Sequence, residues 1–215
     1  KMSKMGEYQV LKNIDGLEIS AVSADLYGDG RDDMCLFYFP DGSNFAAVYT
    51  TSKVTSANIN WNLKIKRHFV KALFVNTKNA NAFTGRKGAQ GLKEVANTLA
   101  KSLTIKSSQE PKGVKDIVKI TDLLFASTGV IGEEFPHTKI KNRIPELVKK
   151  LRIEQNKFVW FKAATSIMTT DTRPKLAYEE CKIGSKLIKL SAIAKGSGMI
   201  APNMATMLAF IFTNI

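Results

Sequence analysis

Phe69-Val70-Lys71-Ala72-Leu73-Phe74-Val75-Asn76 is the stretch that decides the fold: a nearly unbroken apolar run with one charge, Lys71, closed by a small polar residue. A run of that length, rich in aromatic and β-branched side chains, reads as a strand covered on both faces. Leu123-Leu124-Phe125-Ala126-Ser127 repeats the design. Both runs end where a loop would be delivered to a site. Between them Leu92, Val95, Ala96, Leu99 and Leu103 recur at helical spacing, so a helix connects two buried strands.

The alternation continues outward. Ile144, Leu147, Val148 and Leu151 mark a second helix, and Phe158, Phe161, Thr165 and Met168 a less regular third. Gly28-Asp29-Gly30-Arg31-Asp32-Asp33 is turn chemistry before the strand-like run Met34 to Phe39. Pro40-Asp41-Gly42 would close that strand and Phe45 to Thr50 would return as a hairpin. Lys182 to Ile188, with Gly184-Ser185 at its centre, predicts a second hairpin. With no internal repeat and no linker, residues 1–215 read as a single domain of mixed α/β (α+β) class.

Composition narrows the function. At 44% hydrophobic and 24% charged residues the chain has globular proportions, and no apolar stretch reaches the roughly 20 residues that span a bilayer. With no secretory apolar segment at its start, a cytoplasmic protein is expected, with no membrane partner. Cys35 and Cys181 belong to no spaced motif and read as reduced thiols. The net charge of +13 suits an anionic partner, but Lys and Arg are scattered, so carboxylate substrates are favoured over nucleic acid. His68 and His137 lack partnering Cys or carboxylate patterns, so no metal is assigned. The acidic turn at 28–33 lacks the ligand spacing of a calcium loop, and Gly196-Ser197-Gly198 lacks the lysine-serine ending of a phosphate loop.

The chemistry concentrates in Ala194-Lys195-Gly196-Ser197-Gly198-Met199-Ile200-Ala201-Pro202-Asn203-Met204-Ala205-Thr206-Met207-Leu208. A threonine follows a small alanine at the end of a glycine- and proline-broken loop, just before an apolar run. An Ala205–Thr206 peptide is open to attack, and cleavage would leave Thr206 with a free α-amine near pKa 8. Such an amine is a suitable base for its own hydroxyl. The acyl oxyanion that Thr206 would create needs hydrogen-bond donors, and Thr128-Gly129, after a buried strand, offers a hydroxyl beside an unhindered amide. Lys195 would pair with an amino-acid carboxylate.

Four ordered blocks then resemble the ornithine acetyltransferases, the bifunctional glutamate N-acetyltransferase/amino-acid acetyltransferase (ArgJ) family. They are the segment around Thr206, Val75-Asn76-Thr77-Lys78-Asn79-Ala80-Asn81-Ala82-Phe83-Thr84-Gly85, Ala126-Ser127-Thr128-Gly129-Val130-Ile131-Gly132, and Ile167-Met168-Thr169-Thr170-Asp171-Thr172-Arg173-Pro174-Lys175. The resemblance runs from about Asp15 to the end of the chain and covers about the first half of the family protein. It implies a layered sandwich of two stacked sheets covered by helices, with the nucleophile at the start of a central strand. It also implies self-cleavage between Ala205 and Thr206, Thr206 as nucleophile, Thr128 and Gly129 as oxyanion hole, and Thr169 and Lys195 as substrate contacts, with Thr170 standing as an alternative to Thr169. Asn76, Asn79 and Asn81 either pack or line the site. Where the family usually has Ser-Gly this chain has Thr77-Lys78, which removes a permissive glycine and adds a charge.

The reaction implied moves acetyl from N-acetylornithine to glutamate through acetyl-Thr206, with no cofactor, although some relatives accept acetyl-CoA. The partner implied is a β chain in an α2β2 assembly. A self-cleaving amidase or aminopeptidase, passing the acyl group to water, and an inactive fragment or basic binding module are the alternatives.

Overall fold

The computed structural model describes residues 8–109, 117–196 and 206–215. Its first sheet has four strands, β1 (Glu18–Val22), β2 (Met34–Asn44), β3 (Phe69–Asn76) and β4 (Leu123–Ser127), in that spatial order. β1–β2 and β2–β3 are antiparallel, and β3–β4 is parallel, with Asn76 opposite Ser127. The two apolar runs are therefore neighbours ending side by side. The connection between parallel strands carries the long helix α2 (Gly85–Ser108), as a parallel crossover requires. The short helix α1 (Ala57–Asn62) lies ahead of β3, and α3 (His137–Lys149) and α4 (Lys157–Ser166) follow β4. A second sheet, β5 (Lys175–Ile183), β6 (Lys186–Lys195) and β7 (Leu208–Thr213), is antiparallel throughout with β6 in the middle.

Period-two alternation on the first sheet feeds two cores. Met34, Leu36 and Tyr38 of β2, with Ala72 and Phe74 of β3 and Leu123 and Phe125 of β4, meet Leu92, Val95, Ala96, Leu99 and Leu103 of α2 and Ile140, Ile144, Leu147 and Val148 of α3. The opposite face, Ile19, Ala21, Cys35, Phe37 and Val75, meets Trp160, Ala163, Ala164 and Ile167 at α4 and Tyr178, Ile193 and Phe212 of the second sheet. The layers are helices, sheet, then a second sheet with α4 beside it. The mixed α/β class and the stacked sheets expected from the sequence are both present.

Three expectations are corrected. β2 does not turn at Pro40-Asp41-Gly42 and return over Phe45 to Thr50. It runs on to Asn44 with a bulge, the register jumping from Tyr38↔Ala72 to Ser43↔Val70, and residues 45–50 form no strand. Proline has no N–H for a ladder, so the chain leaves the sheet locally, and Lys71 Nζ holds the displaced Pro40 carbonyl at 2.8 Å. The hairpin partner of β2 is β1, and the acidic turn at 28–33 lies in their connection, where the Asp33 carboxylate accepts the Ala24 and Leu26 N–H groups, each at 2.7 Å. The third helix forms but buries a different face: Trp160, Ala163 and Ala164 face inward while Phe158 is 65% exposed. Two alanines permit close approach to the sheet, and that packing overrides the spacing of the larger aromatics. Finally, Thr206 precedes β7, which is an edge strand among the described residues, not a central one. The hairpin at Gly184-Ser185 forms as expected, Ile183 pairing with Lys186.

Candidate functional site

Lys195 organises the site. Its strand β6 buries Ser191, Ile193 and Lys195 in alternation, so the lysine continues the inward face of the sheet and is only 4% exposed. A buried ammonium needs a partner for each of its three hydrogens. Lys195 Nζ donates to Thr128 Oγ1 at 3.0 Å, to Thr169 Oγ1 at 2.9 Å and to the Thr206 carbonyl at 3.2 Å. Thr128 comes from the end of β4, Thr169 from the turn after α4, and Thr206 from the approach to β7. Three positions singled out in sequence are thus gathered on the ammonium of a fourth. Of the two adjacent threonines, Thr169 is the one bonded to Lys195, while Thr170 is exposed and takes no part in the cluster.

The electrostatics depend on Asp171. Burial opposes the charge on this carboxylate, but the Lys175 ammonium at 2.7 Å and the Gly196 N–H at 2.8 Å outweigh it and hold its pKa below the ordinary value. Burial lowers the pKa of Lys195; Asp171 pulls it back up, and Lys175 pushes it further down. Because both threonine hydroxyls accept from the ammonium, their own hydrogens, which have no acceptor among the described residues, can donate to an incoming oxygen.

At Thr128–Gly129 the backbone is committed in alternation. The Thr128 N–H goes to the Asn76 carbonyl at 3.1 Å and the Val130 N–H to the Lys78 carbonyl at 2.9 Å. Between them the Gly129 N–H has no partner among the described residues. A free amide beside a free hydroxyl hydrogen is the donor pair that an oxyanion needs. Gly129 has φ +136°, and a Cβ there would lie 2.2 Å from the Lys78 carbonyl carbon, so only glycine fits.

The facing loop, 77–81, keeps a left-handed turn despite the substitution at its start. Lys78 adopts φ +70° with its N–H donating to the Tyr27 hydroxyl at 3.0 Å and its ammonium over the Tyr27 ring. That conformation explains why glycine is usual there. Asn76, Asn79 and Asn81 are all fully buried and pack the loop instead of lining an open site. The structural role of Asn58, which joins them through Ser127, was missed by sequence reasoning, since an isolated asparagine near a helix start carries no local signal. Ala205 and the Ser197–Met204 stretch lie outside the described residues, so the cleavage-site pair is represented here by Thr206 alone, which is half-buried. Among the described residues no group of three His, Cys, Asp or Glu side chains could hold a metal ion, and no helix is long and apolar enough to cross a membrane.

The model of the ArgJ family matches residues 18–215. The chain is 38% identical over 214 residues to the arginine biosynthesis bifunctional protein ArgJ of Caulobacter vibrioides, covering 96% of this chain and 48% of that protein. It is 39% identical over 209 residues to the ArgJ of Nitrobacter winogradskyi, covering 95% and 46%. It therefore spans about half the length of the curated relatives it matches. Among solved structures, the ArgJ of Bacillus halodurans superposes with a TM-score of 0.76 at 25% identity over 93% of this chain and 98% of that one. The ornithine acetyltransferase of Mycobacterium tuberculosis complexed with ornithine superposes at 0.73, with 23% identity, over 93% and 99%, a likeness of fold. From residues 18 to 215, this chain belongs to the ArgJ family.

Proposed function

We propose that the chain is the nucleophile-bearing part of an acetyltransferase that moves acetyl from N-acetylornithine to glutamate through acetyl-Thr206. The observation that carries this reading is the convergence of Thr128, Thr169 and Thr206 on the buried Lys195 ammonium. Cleavage between Ala205 and Thr206 frees the threonine α-amine, which takes the Thr206 hydroxyl proton as Oγ attacks the acetyl carbonyl. The tetrahedral oxyanion collects the Thr128 hydroxyl and the Gly129 N–H. Collapse breaks the amide bond, transfers the acetyl group to Thr206 Oγ and releases ornithine with its amine protonated. Glutamate then attacks the ester, giving N-acetylglutamate and regenerating the hydroxyl. Lys195 exchanges one of its three oxygen partners for the substrate carboxylate, with Thr169 beside it as a further donor. None of these steps calls on a metal or organic cofactor; use of acetyl-CoA as an alternative acetyl donor belongs to the same proposal.

The matched lengths support cleavage in the family. The two solved relatives are matched over 98% and 99% of their chains, whereas the two curated relatives are matched over 48% and 46% of theirs. Chains cut near this point would give that pattern. With the cut before Thr206, β7 is the first strand of the β chain, and its pairing with β6 supports a β chain held to the α chain; an α2β2 assembly and a cytoplasmic location belong to the same proposal. Ile211 of β7 and Met207 just before it are 67% and 61% exposed, and the unpaired backbone edge of β7 among the described residues invites a further strand.

Intact-mass measurement with a Thr206→Ala control tests the nucleophile. A cut between residues 205 and 206 that the control abolishes supports it, and an uncut wild-type protein, as its source expresses it, refutes it. Glutamate-dependent ornithine release then separates transfer from hydrolysis, which would yield free acetate without glutamate.

A further inference from the structure

A run of hydroxyl and amide groups, half-buried at Thr84 and buried beyond it, connects the start of α2 to the loop holding Thr128 and Gly129. Thr84 Oγ1 donates to Asn81 Oδ1 at 2.8 Å, Asn81 Nδ2 to Asn58 Oδ1 at 3.2 Å, Asn58 Nδ2 to Ser127 Oγ at 2.7 Å, and Ser127 Oγ to Asn76 Oδ1 at 2.5 Å. Every donation points the same way. Asn76 Nδ2 ends the run by donating to the carbonyls of Thr77 and Asn79, at 3.2 and 3.1 Å. Hydrogen bonds aligned head to tail polarise one another and stiffen as a unit.

The cost of this arrangement shows that it is specified. Asn58, Asn76 and Asn81 are at most 2% exposed and Ser127 is 8% exposed, and burying four polar side chains is favourable only while each is paired. A structural core at the ends of two strands could have been apolar, as the rest of β4 is and, apart from Lys71, the rest of β3. The hydroxyl of Ser127 is used in both directions, accepting from Asn58 and donating to Asn76, so its rotamer is fixed. Asn76, at the other end of that bond, also accepts the Thr128 N–H on its backbone carbonyl. Thr128 and Gly129 follow Ser127 directly, and across from them the Val130 N–H to Lys78 carbonyl bond and the Ala80 N–H to Val130 carbonyl bond, both 2.9 Å, complete the frame.

We infer that the relay Thr84–Asn81–Asn58–Ser127–Asn76 is the device that positions the oxyanion donors, with Ser127 and Asn58 acting as positioning residues through Thr128 and Gly129. The inference rests on the function proposed for that pair. Neither Ser127 nor Asn58 hydrogen-bonds to Lys195 or Thr169, so the relay acts first on the donors to the reacting oxygen and reaches the lysine only through the Thr128 hydroxyl.

Two measurements test it, each on the protein as its source expresses it. In the first, Asn58→Leu is compared with wild type by amide NMR. Asn58 is 69 residues from Ser127 in sequence, yet the Thr128 and Gly129 amide resonances shift or broaden while those of β6 hold. Unmoved Thr128 and Gly129 amides in a folded variant overturn the inference, whatever the activity. In the second, ornithine release from N-acetylornithine is followed for Ser127→Ala and Ser127→Thr. Ser127→Ala loses about 10- to 100-fold in kcat, as displacement of reacting groups by a fraction of an ångström to one ångström does, with KM within about 2-fold. Ser127→Thr keeps the hydroxyl and recovers most of the rate. A merely structural serine would give an equal loss in both variants, or a KM change with kcat unaltered, and either result sinks the proposal. A wild-type protein that releases no ornithine refutes the acetyltransfer reading by itself; the NMR arm still decides the relay.

Discussion

Replacing Gly129 with alanine should cost far more than any ordinary glycine substitution. Its φ of +136° lies where L side chains are strained, at about 1–3 kcal/mol. The new Cβ would also meet backbone on the facing loop: Lys78 C at 2.2 Å, Lys78 O at 2.3 Å and Asn79 N at 2.6 Å. No side-chain rotation relieves contact with backbone, so the two loops must separate. Separation breaks the Val130 N–H to Lys78 carbonyl and Ala80 N–H to Val130 carbonyl bonds, at about 1 kcal/mol each. The total is about 3–5 kcal/mol. Gly132→Ala is the control, because Gly132 also has positive φ, +84°, but a Cβ there meets nothing within 4 Å, so only the conformational strain of about 1 kcal/mol remains. Urea unfolding of both variants, followed by far-UV circular dichroism, measures the difference. Equal losses, or a Gly129→Ala loss below about 1 kcal/mol, would show that the close approach of the two loops does not exist.

Lys195→Met keeps the volume but removes the ammonium from three oxygens; folding stability stays within about 1 kcal/mol because the burial penalty of the charge also disappears. Affinity for N-acetylornithine falls by about 10²-fold in calorimetric titration, as loss of a buried charged partner does, and unchanged affinity refutes the carboxylate role. The Asp171 pKa is held low in the folded state, so its contribution to stability is present above the unfolded carboxylate pKa and lost as pH falls through the folded one. Asp171→Asn therefore flattens the acid limb of the stability profile between pH 2 and 5, and a limb as steep as wild type refutes the assignment. Cys35 is completely buried and its thiol is pushed up to about 12, chiefly by burial, whereas Cys181 is exposed. A disulfide reagent at pH 8 titrates one thiol in the native chain and two in urea; two fast native thiols would contradict the buried β2. Lys78→Gly removes the strain of φ +70° and raises the unfolding free energy by about 0.5–1 kcal/mol, which the same urea titration detects and a lower midpoint contradicts.

Much of the frame was legible because burial on both faces leaves an unmistakable run. The strands Phe69–Asn76 and Leu123–Ser127 coincide with their apolar runs, and α2 and α3 bury the faces their spacing marks. Thr128 and Thr206 stood out from local sequence, and Lys195 and Thr169 from the family resemblance, with Thr170 left beside Thr169. What those local patterns lacked was distance: residues 26 and 67 positions apart from Lys195 share its ammonium only because β4, α4 and β6 converge.

Tertiary structure alone decided the remainder. Pro40-Asp41-Gly42 is turn chemistry by composition, but β3 pairs with β2 on both sides of it, at Tyr38↔Ala72 and Ser43↔Val70, and confines the disturbance to a bulge. The aromatic side chains of α4 suggested one buried face, and the space between the sheets selected another, filled by Trp160 over two alanines. The asparagine relay is invisible in sequence because each member is an ordinary polar residue until folding removes water from around it. The sequence by itself determined which residues are apolar, which backbone positions require glycine and which side chains carry chemistry. Only the packing of two sheets and their helices determined which of those groups lose water together, and desolvation is what gives a lysine, three threonines and a glycine amide the setting of a candidate site.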